Sequence, residues 1–305
     1  MDRRKFIQKS LVASGALGLG QSVLSGEATA SPSMERICIL HTNDLHSRIH
    51  AFPDDGGSFA NQGGMAKLGN MVETIRAKEK NLLLLDAGDI FQGTPYFNVY
   101  GGELEFRLMS IIGYDASTLG NHDFDNGLEG FHKQLHHAKF PFINSNYDFS
   151  RTLLANHIAP YKVIRKGRIK VGIFGLGIEL RGLVPDKSYG QTRYLDPVGV
   201  AQDMVQELKG KGCNLIICLS HLGFSYRTAK IDDQKLASQV GGIDLIIGGH
   251  THSFLEQPVE VRGPGGHLTV VNQAGRSALR LGRLNYEFKK NQKIKTALSE
   301  NLAIK

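Results

Sequence analysis

Runs of basic residues are missing from this chain: no five consecutive Lys or Arg occur, and arginines are not interleaved with aromatics. The formal net charge of +7 therefore gives no argument for binding a nucleic-acid polymer, although it suits a small anionic ligand as well as it suits solubility. Long apolar runs are missing too. The stretch from Leu11 to Leu19 is diluted by glycines and too short for a stable membrane span. Cysteine is scarce, with Cys38, Cys213 and Cys218 each in or beside an apolar strand-like run. An odd number of thiols cannot be fully paired internally. The reading is three buried thiols packing as small hydrophobes, preferred over a Cys213–Cys218 bridge. No internal repeat and no linker interrupts the sequence, so residues 31–305 are expected to form a single domain with a sizeable core.

What is present begins with a targeting segment. Arg3-Arg4-Lys5-Phe6-Ile7-Gln8-Lys9 is a twin-arginine pattern, and Ala28-Thr29-Ala30 supplies the small residues that a signal peptidase prefers. Residues 1–30 are thus expected to be a signal peptide, and the protein to be exported folded to a periplasmic or extracellular location. No cysteine follows the small residues, so a lipid anchor is not expected there.

Beyond residue 35, short β-branched or leucine runs alternate with stretches of helical periodicity. Strands are predicted over 36–41, 82–85, 116–119, 142–144, 215–219, 243–247, 268–272 and 279–288, with a hairpin of 161–165 and 169–174 turned at Lys166-Gly167. Helices are predicted over 65–77, 104–112, 128–137, 198–209 and 231–240. Residues 50–64 and 178–196 read as long loops. Alternation of this kind predicts an α/β fold with a largely parallel core, and late strands without helices predict an antiparallel contribution.

The chemistry sits at strand ends. Five predicted strands run into Asp44-Leu45-His46, Asp89, Asn121-His122, His221 and His250-Thr251-His252. Strand ends are where α/β proteins place ligands, and every group delivered here can bind a metal without a cysteine thiolate among them. Residues i and i+2 of an extended segment point the same way, so Asp44 and His46, and likewise His250 and His252, are expected to serve one side each. Mixed imidazole and carboxylate donors suit Zn, Mn or Fe rather than a thiolate-rich structural site. Seven candidates exceed what one ion needs and suit two divalent ions about 3.5–4 Å apart, bridged by a carboxylate. Gly120, just before the Asn121–Asp125 cluster, lets the backbone come close to a neighbour. His41 lies one position off the ligand-bearing direction and is expected to support its neighbours from outside. His132, His136 and His137 share one predicted helix, where a solvated face is the expectation.

The order Asp44-Leu45-His46, Gly88-Asp89, Gly120-Asn121-His122-Asp123, His221 and Gly249-His250-Thr251-His252 resembles the calcineurin-like metallophosphoesterases. The flanking segments His41–His46, Asp86–Pro95 and Leu119–Asp125 are similar to the catalytic domain of bacterial 5′-nucleotidases, and the match covers roughly residues 36–288. The resemblance implies a four-layer α/β/β/α sandwich with mixed sheets and a dimetal site at the carboxyl ends of the strands. It implies Asp44, His46, Asp89 and His252 around one ion and Asp89, Asn121, His221 and His250 around the other, with Asp89 bridging. A hydroxide between the ions would attack phosphorus. Asn121 and His122 would touch the substrate, His122 protonating the leaving oxygen while Asp125 holds the other ring nitrogen. Asp123 stands where many relatives have Glu and is assigned a structural, capping role. Arg181, in the 178–196 loop, is named as a phosphate contact, with an exposed surface arginine as the competing reading.

The expected substrate is a small phosphoester or nucleotide. The relatives carry a C-terminal domain that supplies nucleoside stacking and phosphate-binding arginines. Because the chain stops at Lys305, a separately encoded partner supplying that domain is expected, or else a site acting unaided. A cyclic-nucleotide phosphodiesterase, a sulfur-ester hydrolase of the same superfamily and a non-catalytic metal-binding subunit stay open as alternatives.

Overall fold

Alternation along the strands divides the apolar side chains among three cores, and the three cores define four layers. The computed structural model describes residues 34–289 and 292–305. The twin-arginine segment and the Ala28-Thr29-Ala30 site lie outside the described residues. The strands are β1 (Glu35–Thr42), β2 (Leu82–Asp86), β3 (Ala116–Ser117), β4 (Tyr147–Asp148), β5 (Tyr161–Lys166), β6 (Ile169–Leu176) and β7 (Arg193–Tyr194). They continue as β8 (Leu215–Ser220), β9 (Leu245–Gly248), β10 (Val259–Arg262), β11 (Leu268–Asn272), β12 (Arg280–Lys289) and β13 (Gln292–Ala303). One sheet has the order β13-β12-β1-β2-β3, a second β10-β11-β9-β8-β6-β5, and β4 pairs with β7 alone.

Ile37 and Ile39 of β1, Leu83 and Leu85 of β2, and Leu215, Ile217 and Leu219 of β8 meet between the two sheets. The intervening residues face outward. Cys38, Leu40 and Leu84 pack against Leu68 and Val72 of the helix Met65–Arg76 and Phe106 and Met109 of the helix Glu103–Ile112. On the other side, Ile216, Cys218 and Ile246 pack against Ala201, Val205 and Leu208 of the helix Pro197–Gly210 and Leu236 of the helix Asp233–Gln239. The result is the α/β/β/α sandwich. Strands β1, β2 and β3 run parallel, as do β6, β8, β9 and β11, while β12, β13, β5 and β10 join antiparallel at the flanks.

Register sets where the loops start. Thr42 pairs with Asp86 and Asp86 with Ser117, so β1, β2 and β3 end level. The buried Asp86 carboxylate ties the three ends, accepting from Thr42 Oγ1 at 2.7 Å, Ser117 Oγ at 3.0 Å and Gly88 N at 2.9 Å. In the second sheet, Leu176 pairs with Ser220 and Ser220 with Gly248. His221 and the turn at 249–252 therefore leave from neighbouring points.

Several expectations need correction. The strand foreseen at 116–119 ends at Ser117, and 142–144 contributes only isolated bridges, Phe142 with Ser117 and Ile143 with Ala159. The hairpin turns at Gly167-Arg168, one residue later than expected, where Gly167 adopts a φ of 59°. The 178–196 loop contains a short helix, Asp186–Tyr189, and the strand β7. The helix Pro95–Tyr100 and strands β10 and β13 were not foreseen. His132 lies near the end of the helix Gly127–Gln134, whereas His136 and His137 sit in a following 3-10 turn. All three thiols are free, but only Cys38 and Cys218 are buried, Cys213 being half-buried. Among the described residues no helix is long and apolar enough to cross a membrane.

His41 supports no neighbour at the strand ends. It points between the sheets, where its Nε2 accepts from Asn272 Nδ2 at 2.8 Å, and Asn272 exchanges amide hydrogen bonds with Asn301 at 2.9 and 3.0 Å. Complete burial holds its pKa down at about 3 against an ordinary 6.5. The unfolded chain thus takes up a proton below pH 6.5 that the folded chain refuses, so this residue's contribution is present above pH 6.5 and is lost as pH falls toward 3. Urea midpoints measured across that window are expected to fall more steeply for the wild type than for His41→Gln.

Candidate metal centre

Each of the six Asp and His residues that could hold an ion comes from a loop leaving a parallel strand, and five of them have backbones that L-residues avoid. Asp44, His46, Asp89, His250 and His252 have φ values of 51°, 48°, 57°, 68° and 52°. Left-handed geometry at non-glycine residues costs of order 1–3 kcal/mol each and persists only where the surroundings impose it. This is why extended-chain reasoning fails here. His250 and His252 do not share a side. His252 joins Asp44 and His46, while His250 joins Asp89 and His221.

The loops are pinned to one another. Asp44 N donates to Gly88 O at 2.9 Å, His46 N to Asp89 O at 3.0 Å and Ser277 N to Asp44 O at 2.7 Å. The buried Asp123 carboxylate accepts from Gly120 N, Asp89 N, Ile90 N and Phe91 N at 2.8–3.2 Å, so it clamps the loop that carries Asp89. Two glycines allow this crossing: a Cβ on Gly88 would strike the backbone of Gly120, and one on Gly120 would strike Asp89 Oδ1. Sequence reasoning missed two further clamps. Gln273 donates through Nε2 to Gly249 O at 2.6 Å and accepts at Oε1 from Thr251 Oγ1 and from Ser253 N, bracing the turn that bears His250 and His252. Asn43 donates to Asp44 Oδ2 and Gly275 O, both at 2.6 Å, and accepts from Ala274 N at 2.9 Å. The polar Asn272-Gln273 pair at the end of β11 was the available signal, since it follows the same strand-end rule.

The donor atoms converge. His46 Nε2 and His252 Nε2 face each other at 2.9 Å, with Asp44 Oδ1 at 3.9 and 3.4 Å from them. His221 Nε2 lies 3.1 Å from Asp89 Oδ2, and His250 Nδ1 lies 2.8 Å from Asn121 Oδ1. Asp89 Oδ2 is also 4.0 Å from His46 Nε2, which places this carboxylate between the two groups. The far ring nitrogens are engaged: His221 Nδ1 meets Ala87 O at 2.7 Å and His46 Nδ1 meets Phe91 O at 3.3 Å. Donation from Nδ1 leaves each Nε2 with a lone pair aimed inward.

Such an arrangement fits divalent cations. His221 Nε2 is fully buried and has no hydrogen-bond partner, and two imidazole nitrogens facing at 2.9 Å require a proton or a metal between them. Burial lowers the proton affinity of His221, but the Asp89 and Asp44 carboxylates outweigh it and raise its pKa to about 10. Asp89 is correspondingly held well below the usual carboxylate range: burial opposes this, but the nearby His221 and His46 dominate. The Asp44 and Asp89 carboxylates thus favour positive charge beside them, whether a proton on His221 or a metal ion.

His122 stands at the edge, half-buried, with its ring 5.4 Å from that of His46. Its Nδ1 meets Asp125 Oδ2 at 2.9 Å, and this bond raises its pKa against the effect of burial. Its backbone N–H donates to Asp89 Oδ1 at 2.8 Å. Arg181 is not brought in. It is exposed and lines a cavity of about 370 Å³ with Tyr147, Tyr189 and Arg193, sharing no lining residue with the two donor groups.

Comparison with known proteins agrees with this geometry. The family model for calcineurin-like phosphoesterases matches residues 38–254. A snake venom 5′-nucleotidase of Crotalus adamanteus is 36% identical over 281 residues, covering 86% of this chain and 46% of the relative. The crystal structure of a 5′-nucleotidase precursor from Thermus thermophilus superposes with a TM-score of 0.79 at 34% identity, covering 88% of this chain and 54% of that one. The NAD nucleotidase of Haemophilus influenzae gives the same TM-score at 28% identity, covering 88% and 50%. The chain spans about half the length of the curated relatives it matches.

Calorimetric titration of metal-stripped protein with Mn²⁺ or Zn²⁺ is expected to show two ions per chain. Asp89→Ala should weaken both sites, and Gln273→Ala should weaken metal affinity about 10–100-fold, as loss of a group that orients ligands does.

Proposed function

Since the chain belongs to the calcineurin-like phosphoesterase family, we propose that it is a dimetal phosphomonoesterase acting on nucleoside 5′-phosphates. The observation that carries this reading is the pair of adjacent donor groups, with Asp89 of one only 4.0 Å from His46 of the other and His122 beside them. Asp44, His46, Asp89 and His252 would hold one ion and Asp89, Asn121, His221 and His250 the other. Zn, Mn and Fe suit these donors. When bound, two such cations supply Lewis acidity toward the phosphoryl oxygens and lower the pKa of water.

The chain's own groups account for the remaining steps. Asn121, 2.8 Å from His250, and His122, with its ring 5.4 Å from that of His46, would contact the phosphoryl group. His122, whose proton affinity Asp125 raises, would donate its Nε2 proton to the leaving oxygen as a water-derived oxygen bonds to phosphorus and the ester bond breaks. Asp125 fixes the ring through Nδ1, which leaves Nε2 as the outward donor. The twin-arginine pattern at Arg3-Arg4 supports export of the folded protein to a periplasmic or extracellular location, which fractionation of expressing cells would test. A second domain encoded separately is tested by co-purification.

A panel of phosphomonoesters, cyclic nucleotides and sulfur esters, run on the purified chain with defined metals, tests the reading. AMP hydrolysis is expected to vanish with a chelator and return with Mn²⁺ or Zn²⁺. His122→Ala should lower kcat by about 10²–10⁴ while both metals stay bound. Equal metal loss in His122→Ala and Asp89→Ala, or turnover confined to diesters, would refute it.

A further inference from the structure

The side of the centre that carries Arg48 and Phe254 has more cationic and aromatic surface than the fold uses. Arg48 follows His46 by two residues, and its guanidinium lies 3.9 Å from the centroid of the Phe52 ring. Phe52 meets Phe59 at 5.8 Å, and Phe59 stacks on Phe254 at 6.0 Å with an interplanar angle of 15°. Arg280 closes the row, 5.7 Å from the Phe254 centroid. Phe254 follows His252 by two residues and is 36% exposed. The row therefore starts at both histidines of one donor group, and it draws two of its rings from the 50–64 loop.

The cations of this row lack counter-charges. Elsewhere on the surface, Arg36 pairs with Glu79, Arg168 with Glu35 and Arg193 with Asp148. Arg48, Arg276 and Arg280 have no carboxylate partner among the described residues. Arg48 Nε is buried without a hydrogen-bond partner. Arg276 follows Gly275, on which a Cβ would strike the Phe254 ring, so its backbone lies against the row. Guanidiniums gathered without carboxylates suit an anionic ligand, and half-exposed phenylalanines offer ring faces to a planar π-system.

Position favours this row over the other long loop. The His122 ring is 5.4 Å from that of His46, two residues before Arg48, so the row begins beside the donor group that His122 adjoins. Around the cavity beside the 178–196 loop, by contrast, Arg193 is engaged by Asp148, Tyr147 Oη by Ile178 O and Tyr189 Oη by Asp186. We propose that Phe52, Phe59 and Phe254, framed by Arg48, Arg276 and Arg280, bind the heteroaromatic base end of a nucleotide whose phosphoryl group lies at the metal centre. This rests on the hydrolase reading above.

The test uses the full chain loaded with Mn²⁺, two esters differing in the far end, and ligand-observed NMR with adenosine. Phe254→Leu and the exposed Arg276→Ala are each expected to lower the ratio of kcat/KM for AMP over glycerol 2-phosphate by about tenfold, through KM. Phe254→Leu should weaken adenosine binding by a similar factor. Equal losses on both esters, or adenosine bound by Phe254→Leu as tightly as by the wild type, would overturn the assignment. Wild type that binds adenosine through Phe254 but turns over neither ester would sustain the row and refute the hydrolase reading. Wild type that turns over both esters and binds no adenosine would do the reverse.

Discussion

Four backbone N–H groups converge on the carboxylate of Asp123, and the centre depends on that convergence. A carboxylate fully out of water is unfavourable unless its lone pairs are filled. Burial and the neighbouring Asp89 push the Asp123 pKa up to about 7, against the pull of the Gly120 N–H. The geometry this imposes is specific. The backbone at 89–91 must wrap the carboxylate, the backbone at Gly120 must touch Asp89, and both require glycine where the two loops cross. Asp123 thus belongs to neither donor group yet fixes the loop that carries Asp89.

The same logic extends around the site. Left-handed backbone at five of the seven candidate ligands is a cost borne locally, and neutral amides and one carboxylate hold it in place. Gln273 and Asn43 act by hydrogen-bond geometry alone. An amide can donate and accept at once, so it can brace a turn without adding charge to a centre already rich in carboxylates.

Much of this was legible in the sequence, for a physical reason. Apolar runs mark strands, parallel strands end level, and polar groups placed just after them must gather; so Asp44, His46, Asp89, Asn121, His221, His250 and His252 could be read as one set. How they divide could not be read from spacing, because i and i+2 share a side only in extended chain and these residues are not extended. His41 alternates correctly as a strand residue, but its side chain meets Asn272 of the opposite sheet, a contact with no sequence signal. The helix Pro95–Tyr100 is only six residues long, too short to show a period. Strand β13 has mixed composition and pairs only with β12, so partner geometry defines it rather than its own pattern.

Strands of both sheets end at the same place, and each donor group draws on both. Asp44 and His46 leave the first sheet and His252 the second; Asp89 leaves the first, His221 and His250 the second. Neither sheet owns an ion. A cation bound in either group would act as a rivet through the sandwich, resisting any sliding of one sheet over the other. Metal occupancy and the packing of Ile39, Leu85, Ile217 and Leu219 between the sheets are thereby two descriptions of one alignment.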